Sequence, residues 1–337
     1  MSRSIDRSFG QFRQDQVLQI FLAAPRGFCA GVVRAVDIVE IALERFGAPV
    51  YVKHEIVHNP HVVSDLEAQG AITVETVEQI PEGATVVFSA HGSPPSDFEA
   101  AKKRSLNVID ATCPLVTRVH NEAKKYLREG KKIILVGHRG HQEVKGTTGQ
   151  GEMALMDDQE DPQPPEWDKD TEVAVLTQTT LSVDDTASMV DRIKSTFGDV
   201  TVRNDICYAT TNRQSAVKEL AEMVEIVLVV GSQTSSNCRR LREVAERSGV
   251  PSHLINGPDE LDSKWFDGIT RVGVSSGAST PESLVQAVCD ALDPTSVKHL
   301  GLASEDIEFT LPPEMRDAIP PRRSSSWATN TTDEDVD

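Results

Sequence analysis

A surplus of positive charge is the first thing missing: Lys and Arg number 34 against 52 Asp and Glu, for a formal net charge of −18. A broad nucleic-acid surface needs clustered Lys and Arg to neutralise phosphates, so the balance excludes one, though not a small anion held in a local pocket. No uninterrupted apolar stretch reaches the length of a membrane span, and no charged-then-apolar leader opens the chain. Together these absences point to a cytoplasmic protein without membrane contact. Paired-cysteine motifs are missing as well. The five Cys are odd in number and include no Cys-x-x-Cys, so zinc-ribbon and thioredoxin readings have no support. There is no Walker-type lysine loop. The loose dinucleotide fingerprint from Gly149 to Ala154 runs into an acidic, proline-containing stretch instead of a helix, so it reads as a turn.

What is present is a repeated layout. At Leu22 to Cys29, Val108 to Cys113 and Val200 to Cys207, an apolar run leads to a cysteine and a helix-like segment follows. The cysteines fall 84 and 94 residues apart, about one small α/β domain each. Short apolar runs alternate with helical segments of about ten residues, the pattern of parallel α/β units. Asn59-Pro60 opens a helix that stops at Gly70, Ser182 with Asp185 makes a capping box, and Pro281 starts a later helix. The chain divides into an N-terminal extension (1–16), three α/β domains (17–112, 113–206, and 207–313 with a closing C-terminal segment) and a disordered acidic tail (314–337).

Polar loops recur with the cysteines. One follows each cysteine by 28 or 29 residues, at His58, His141 and Ser236, and a second follows at His91, Thr179 and Ser279. Each comes after the carboxyl end of a predicted strand, where open α/β sheets bind ligands, and most lie just before a helix N-terminus, which favours an anion. His58, His91, His141, Ser235, Ser236, Asn237 and Ser279 form a set of short donors suited to a phosphate or diphosphate. Glu143 is the one carboxylate among these loops and the best proton-donor candidate. Three thiolates converging from separate domains, Cys29, Cys113 and Cys207, suit a soft metal, either zinc or an iron–sulfur cluster, and leave one metal position open for substrate. Cys289 lies on an amphipathic stripe and reads as core, while Cys238 opens a helix beside polar loop residues and is ambiguous between a core thiol and a spare one. His54-Glu55-Ile56-Val57-His58 matches a zinc-protease pattern that requires a helix; here it follows a strand and meets a helix start.

These stretches resemble the 4-hydroxy-3-methylbut-2-enyl diphosphate reductase family. The resemblance is carried by Pro25 to Val32, His54 to Asn59, Ser89 to Gly92, Asp110 to Pro114, Gly137 to Glu143, Thr177 to Thr186, Asp205 to Gln214, Ser235 to Asn237 and Gly277 to Ser279, in an order covering about 17–313. Cys238 departs from it, standing where the family usually has serine. The resemblance implies a trefoil of three α/β domains with parallel sheets around a [4Fe-4S] cluster, one per chain, on Cys29, Cys113 and Cys207. It further implies that the diphosphate lies among His58, His91, His141, Ser235, Ser236, Asn237 and Ser279, that Thr179 holds the allylic hydroxyl and that Glu143 feeds protons. The implied reaction is reductive dehydroxylation to isopentenyl and dimethylallyl diphosphates, the last step of the non-mevalonate isoprenoid route, fed by an external one-electron donor such as ferredoxin or flavodoxin. The rival readings are an anion-binding protein with a structural metal and a zinc hydrolase.

Overall fold

The structure, a computed structural model, describes residues 18–158, 160–301 and 303–316. The predicted extension at 1–16 and all of the predicted tail beyond 316 lie outside the described residues. At the tail's predicted start the chain is ordered instead: Pro313–Met315 form a 3-10 turn, and the Met315 side chain is buried. Among the described residues no helix is long and apolar enough to cross a membrane.

Thirteen strands and nine α-helices alternate along the described chain. The strands are β1 Gln19–Ala24, β2 Val50–Lys53, β3 Ala71–Val74, β4 Thr85–Phe88, β5 Asn107–Asp110, β6 Lys132–Gly137, β7 Ala154–Asp157, β8 Glu172–Thr177, β9 Asp199–Val202, β10 Ile226–Val230, β11 Ser252–Ile255, β12 Arg271–Ser276 and β13 Ser296–Gly301. The helices are α1 Ala30–Phe46, α2 Pro60–Ala68, α3 Pro95–Lys103, α4 Pro114–Arg128, α5 Gln142–Thr148, α6 Val183–Thr196, α7 Tyr208–Ala221, α8 Ser236–Arg247 and α9 Glu282–Leu292.

The strands form three parallel sheets, as the α/β reading expects: β3-β2-β4-β5, β7-β6-β8-β9 and β11-β10-β12-β1-β13. The first two share one strand order. The third repeats it with β1 in the fourth place and adds β13 at the edge. The expected division at 17–112, 113–206 and 207–313 follows chain order, and sheet membership does not: β1 pairs with β12 and β13, joining the sheet built from residues 226–301. Each cysteine therefore follows the fourth strand of its sheet by three to five residues, so the loops that share a sheet with Cys113 precede it in the chain.

By compactness the described chain forms two units, residues 18–29 with 211–306 and residues 30–210 with 307–316. The first holds the five-stranded sheet and the second the two four-stranded sheets. Strand alternation divides the core of the five-stranded sheet. Ile20, Leu22, Ile226, Leu228 and Val230 pack with α9 residues Val285, Val288 and Leu292, whereas Phe21, Ala23, Val227 and Val229 pack with Val217, Leu220, Leu241 and Val244. A parallel sheet buried on both faces needs this double-sided hydrophobicity, and each Val or Leu so buried contributes about 1.5–3 kcal/mol. Local signals set the helix starts. Asn59 Oδ1 accepts from the backbone N–H groups of His61 and Val62 with Pro60 in the first turn, and Ser182 caps α6 by accepting from Asp185 N.

Candidate functional site

The three repeat cysteines have equivalent backbone surroundings. Cys29 N donates to Ala278 O at 3.1 Å, Cys113 N to Ala90 O at 3.0 Å and Cys207 N to Thr179 O at 3.1 Å. In each case the acceptor lies on the loop that ends the neighbouring third strand, and the cysteine directly precedes a helix: α1, α4 and α7 respectively. All three thiols are partly exposed, and none is in a disulfide. Cys207 Sγ accepts from the backbone N of Thr210 at 3.4 Å, as a sulfur at a helix N-terminus can. Two buried arginines brace these turns. Arg34 donates to the carbonyls of Ala111 and Thr112, and Arg213, with no exposed surface, donates to Gly27 O at 2.8 Å.

Loops of the two four-stranded sheets bring three imidazoles together. His58 follows β2, His91 follows β4 and His141 follows β6. The His58 and His91 rings stack with centroids 4.1 Å apart, and His141 meets them edge-on at 5.3 and 5.9 Å. Burial, and then the facing rings of His58 and His141, push His91 well below the ordinary imidazole value, so it is neutral and keeps one N–H donor. The segment from His54 to His58 is not helical. His54 Nδ1 lies against Glu75 and His58 Nδ1 against Glu55, an arrangement without the shared helical face that a zinc-protease pair requires.

Glu143 is the chemically poised group. It lies in the first turn of α5, where His141 caps the helix by accepting from Glu143 N at 3.2 Å. The residue is 3% exposed, and both carboxylate oxygens are held by Thr179: Oε1 accepts from the backbone N at 2.7 Å and Oε2 from Oγ1 at 2.9 Å. Burial raises its pKa to about 7 despite those two bonds, which act in the opposite direction; Asp205 adds a smaller upward push. A carboxyl balanced near neutrality and joined to a hydroxyl can give and regain a proton at working pH.

In the five-stranded sheet the loops after β10 and β12 carry neutral groups. Ser235 caps α8 by accepting from Cys238 N, and Asn237 Oδ1 accepts from Ala278 N at 3.0 Å, tying the Ser235–Asn237 loop to the Ala278–Ser279 loop. Ser235, Ser236, Asn237 and Ser279 are all buried. Cys238 is fully buried behind them. Its sulfur lies 2.4 and 2.2 Å from where a Cβ on Gly231 or Gly277 would stand, and burial raises its pKa. A thiol enclosed in this way, within hydrogen-bond reach of Ser235 and Thr280, packs the turns behind these loops, where sequence left it open between a core and a spare thiol. Cys289 belongs to the apolar core, as its stripe indicated.

Taken one by one, each repeat cysteine suits a thiolate ligand of a soft metal: a non-disulfide thiol between a strand and a helix start, with the same backbone bond. Sequence reasoning missed Asp205, a carboxylate with 0% exposure two residues before Cys207, because a charged residue in a loop ordinarily reads as solvated. Arg34 was missed as well, since a charged residue within an amphipathic helix gives no sign of the carbonyls it reaches.

A family model described as LytB protein matches residues 20–293. A 4-hydroxy-3-methylbut-2-enyl diphosphate reductase of Zymomonas mobilis is 50% identical over 307 residues, covering 89% of this chain and 90% of that protein. The 4-hydroxy-3-methylbut-2-enyl diphosphate reductase 1 of Rhodopseudomonas palustris is 51% identical over 306 residues, 89% of this chain and 100% of that protein. Among solved structures, the E-1-hydroxy-2-methyl-but-2-enyl-4-diphosphate reductase of Plasmodium falciparum is similar at a TM-score of 0.84 and 35% identity, covering 89% of this chain and 96% of that one.

Proposed function

The chain belongs to the LytB protein family and is an oxidoreductase, and from that premise we propose that it reduces (E)-4-hydroxy-3-methylbut-2-enyl diphosphate to isopentenyl and dimethylallyl diphosphates. The reading takes Cys29, Cys113 and Cys207 as ligands of a [4Fe-4S] cluster, one per chain. When bound, such a cluster supplies one-electron transfer and, at its iron without a protein ligand, Lewis acidity towards the hydroxyl oxygen. An external one-electron carrier of the ferredoxin or flavodoxin class delivers the two electrons in turn, in the cytoplasm.

The balance needs two electrons and two protons. The allylic C–O bond breaks, one proton leaves with the hydroxyl as water, and one is taken up by carbon at either end of the allyl unit. His58, His91 and His141 bind the diphosphate together with Ser235, Ser236, Asn237 and Ser279. Neutral N–H and O–H donors suit this task because they hold an anion without a buried ion pair. Thr179 orients the substrate hydroxyl, and Glu143 delivers the proton through the hydroxyl it already accepts from.

The observation that carries the reading is Glu143 itself, a buried carboxyl balanced near pH 7 and bonded twice to Thr179 beside a cluster of three imidazoles. Its test is anaerobic turnover: protein loaded with iron and sulfide, given the hydroxylated diphosphate and an artificial one-electron reductant, should form both five-carbon diphosphates. Substrate binding without product would leave an anion-binding protein in place of an enzyme, and full activity with zinc alone would exclude the cluster.

A further inference from the structure

His120 lies outside every group assigned above, on α4 and seven residues after Cys113, and the residue is 7% exposed. Two glycines make room for it. A Cβ on Gly92 would stand 2.7 Å from His120 Cε1. A Cβ on Gly146 would stand 3.3 Å from Nε2 and 2.9 Å from Gly92 O. Gly92 directly follows His91, and Gly146 lies in α5, the helix that carries His141 at its cap and Glu143 in its first turn. The ring thus occupies the seam where the His91 loop and α5 approach backbone to backbone. On its other side Gln150 Nε2 lies 3.5 Å from Nδ1 while donating to Gly146 O at 2.8 Å. Nε2 is buried with no hydrogen-bond partner.

Because Nε2 meets no protein hydrogen-bond partner, what the ring gives the seam is its volume, which the two glycines accommodate. Burial also pushes the His120 pKa down to about 4, so the ring is uncharged in neutral solution and brings no ion to the seam. A cavity of about 380 Å³, lined by Phe98, Asp110, Thr117, Asn121 and Lys124, borders His120. Without the ring, the His91 loop and α5 therefore have space to shift.

We infer that His120 is a positioning residue, a spacer that fixes the separation of His91 from His141 and Glu143. The inference deepens the functional reading, because it rests on those three residues serving the diphosphate reaction. In the anaerobic holoenzyme, His120→Ala should lower kcat/KM by about 10²-fold, with much of the loss in KM, because small misplacements of binding groups carry penalties of that size. A merely structural role would reduce the folded fraction and leave KM untouched. His120→Phe, which restores a ring without its nitrogens, should recover most of the KM loss. A crystal structure of His120→Ala should show the His91 and His141 rings moved from their 5.9 Å centroid separation.

Should His120→Ala not fold, Gly146→Ala keeps His120 and presses on the same seam, and the same KM and ring-separation criteria decide. Wild-type KM with unmoved rings in the folded variant would overturn the inference, as would a Phe variant as impaired as Ala. If the wild-type holoenzyme fails to turn over the hydroxylated diphosphate, the functional reading falls, and the ring separation still decides the role of His120.

Discussion

The two four-stranded sheets and the five-stranded sheet share a strand order and a cysteine hydrogen bond, yet their loops carry different chemistry. In the β2–β5 and β6–β9 sheets the loops hold three imidazoles and a carboxyl balanced near pH 7. In the five-stranded sheet the corresponding loops hold Ser235, Ser236, Asn237 and Ser279, none of which titrates in the working range. One architecture thus carries titratable groups in one part and neutral donors in the other. The cysteine is the constant feature, held alike in all three sheets.

Removing the constant feature should have the largest effect. Cys113→Ser is expected to lose bound iron and sulfide and with them all turnover, read by metal analysis and anaerobic absorbance, because a serine oxygen is a poor substitute for a thiolate towards a soft centre. Retained iron and activity would break the claim that the three cysteines are equivalent. The next effect belongs to the titrating part. Glu143→Gln should keep the metal centre and substrate affinity while kcat falls about 10²–10⁴-fold, the usual worth of a positioned proton donor. Near-normal kcat would remove Glu143 from the mechanism.

On the neutral side, Asn237→Ala should raise KM about tenfold, the cost of one or two hydrogen bonds to an anion, without altering how turnover depends on pH. A changed pH dependence would blur the distinction between the two parts. Cys238→Ser should retain activity within a few-fold, since the buried sulfur packs against Gly231 and Gly277 and serine nearly matches its shape. Loss of the metal centre in that variant would contradict its reading as a packing atom. Stability offers a smaller, independent comparison. Glu143 keeps its proton in the folded protein up to about pH 7, whereas an unfolded chain loses it near 4.5. Between those values the native state holds more protons, so the stability contributed by Glu143 declines as pH rises from about 4.5 to about 7. Chemical denaturation across that window should be less pH-dependent in Glu143→Gln.

Much of the arrangement was legible in the sequence because its signals are local. Apolar runs ending in polar loops marked the strand ends, Asn59-Pro60 and Ser182 marked helix starts, and the spacing to Cys29, Cys113 and Cys207 exposed the repeat. Pairing between distant segments is not local. The apolar run before Cys29 looks the same whichever sheet takes it, so its place between β12 and β13 was hidden, and with it the phase of the repeat. His120 was hidden for a related reason. On α4 it shares a buried stripe with Val116, Val119, Ala123 and Tyr126, and nothing along the helix indicates that Gly92 and Gly146 leave space for its ring. Asp205 and Arg213 follow the same rule, since the burial of a charged group depends on partners that the chain order does not reveal.

If protons reach the substrate through the Glu143–Thr179 pair, the pH dependence of single-turnover rates in the reduced, metal-loaded protein should carry the mark of Glu143. The wild-type rate should fall as pH rises through about 7, where Glu143 loses its proton, and Glu143→Gln should be slow with this fall absent. A Glu143→Gln protein that retains the same fall at near-wild-type rates would contradict it.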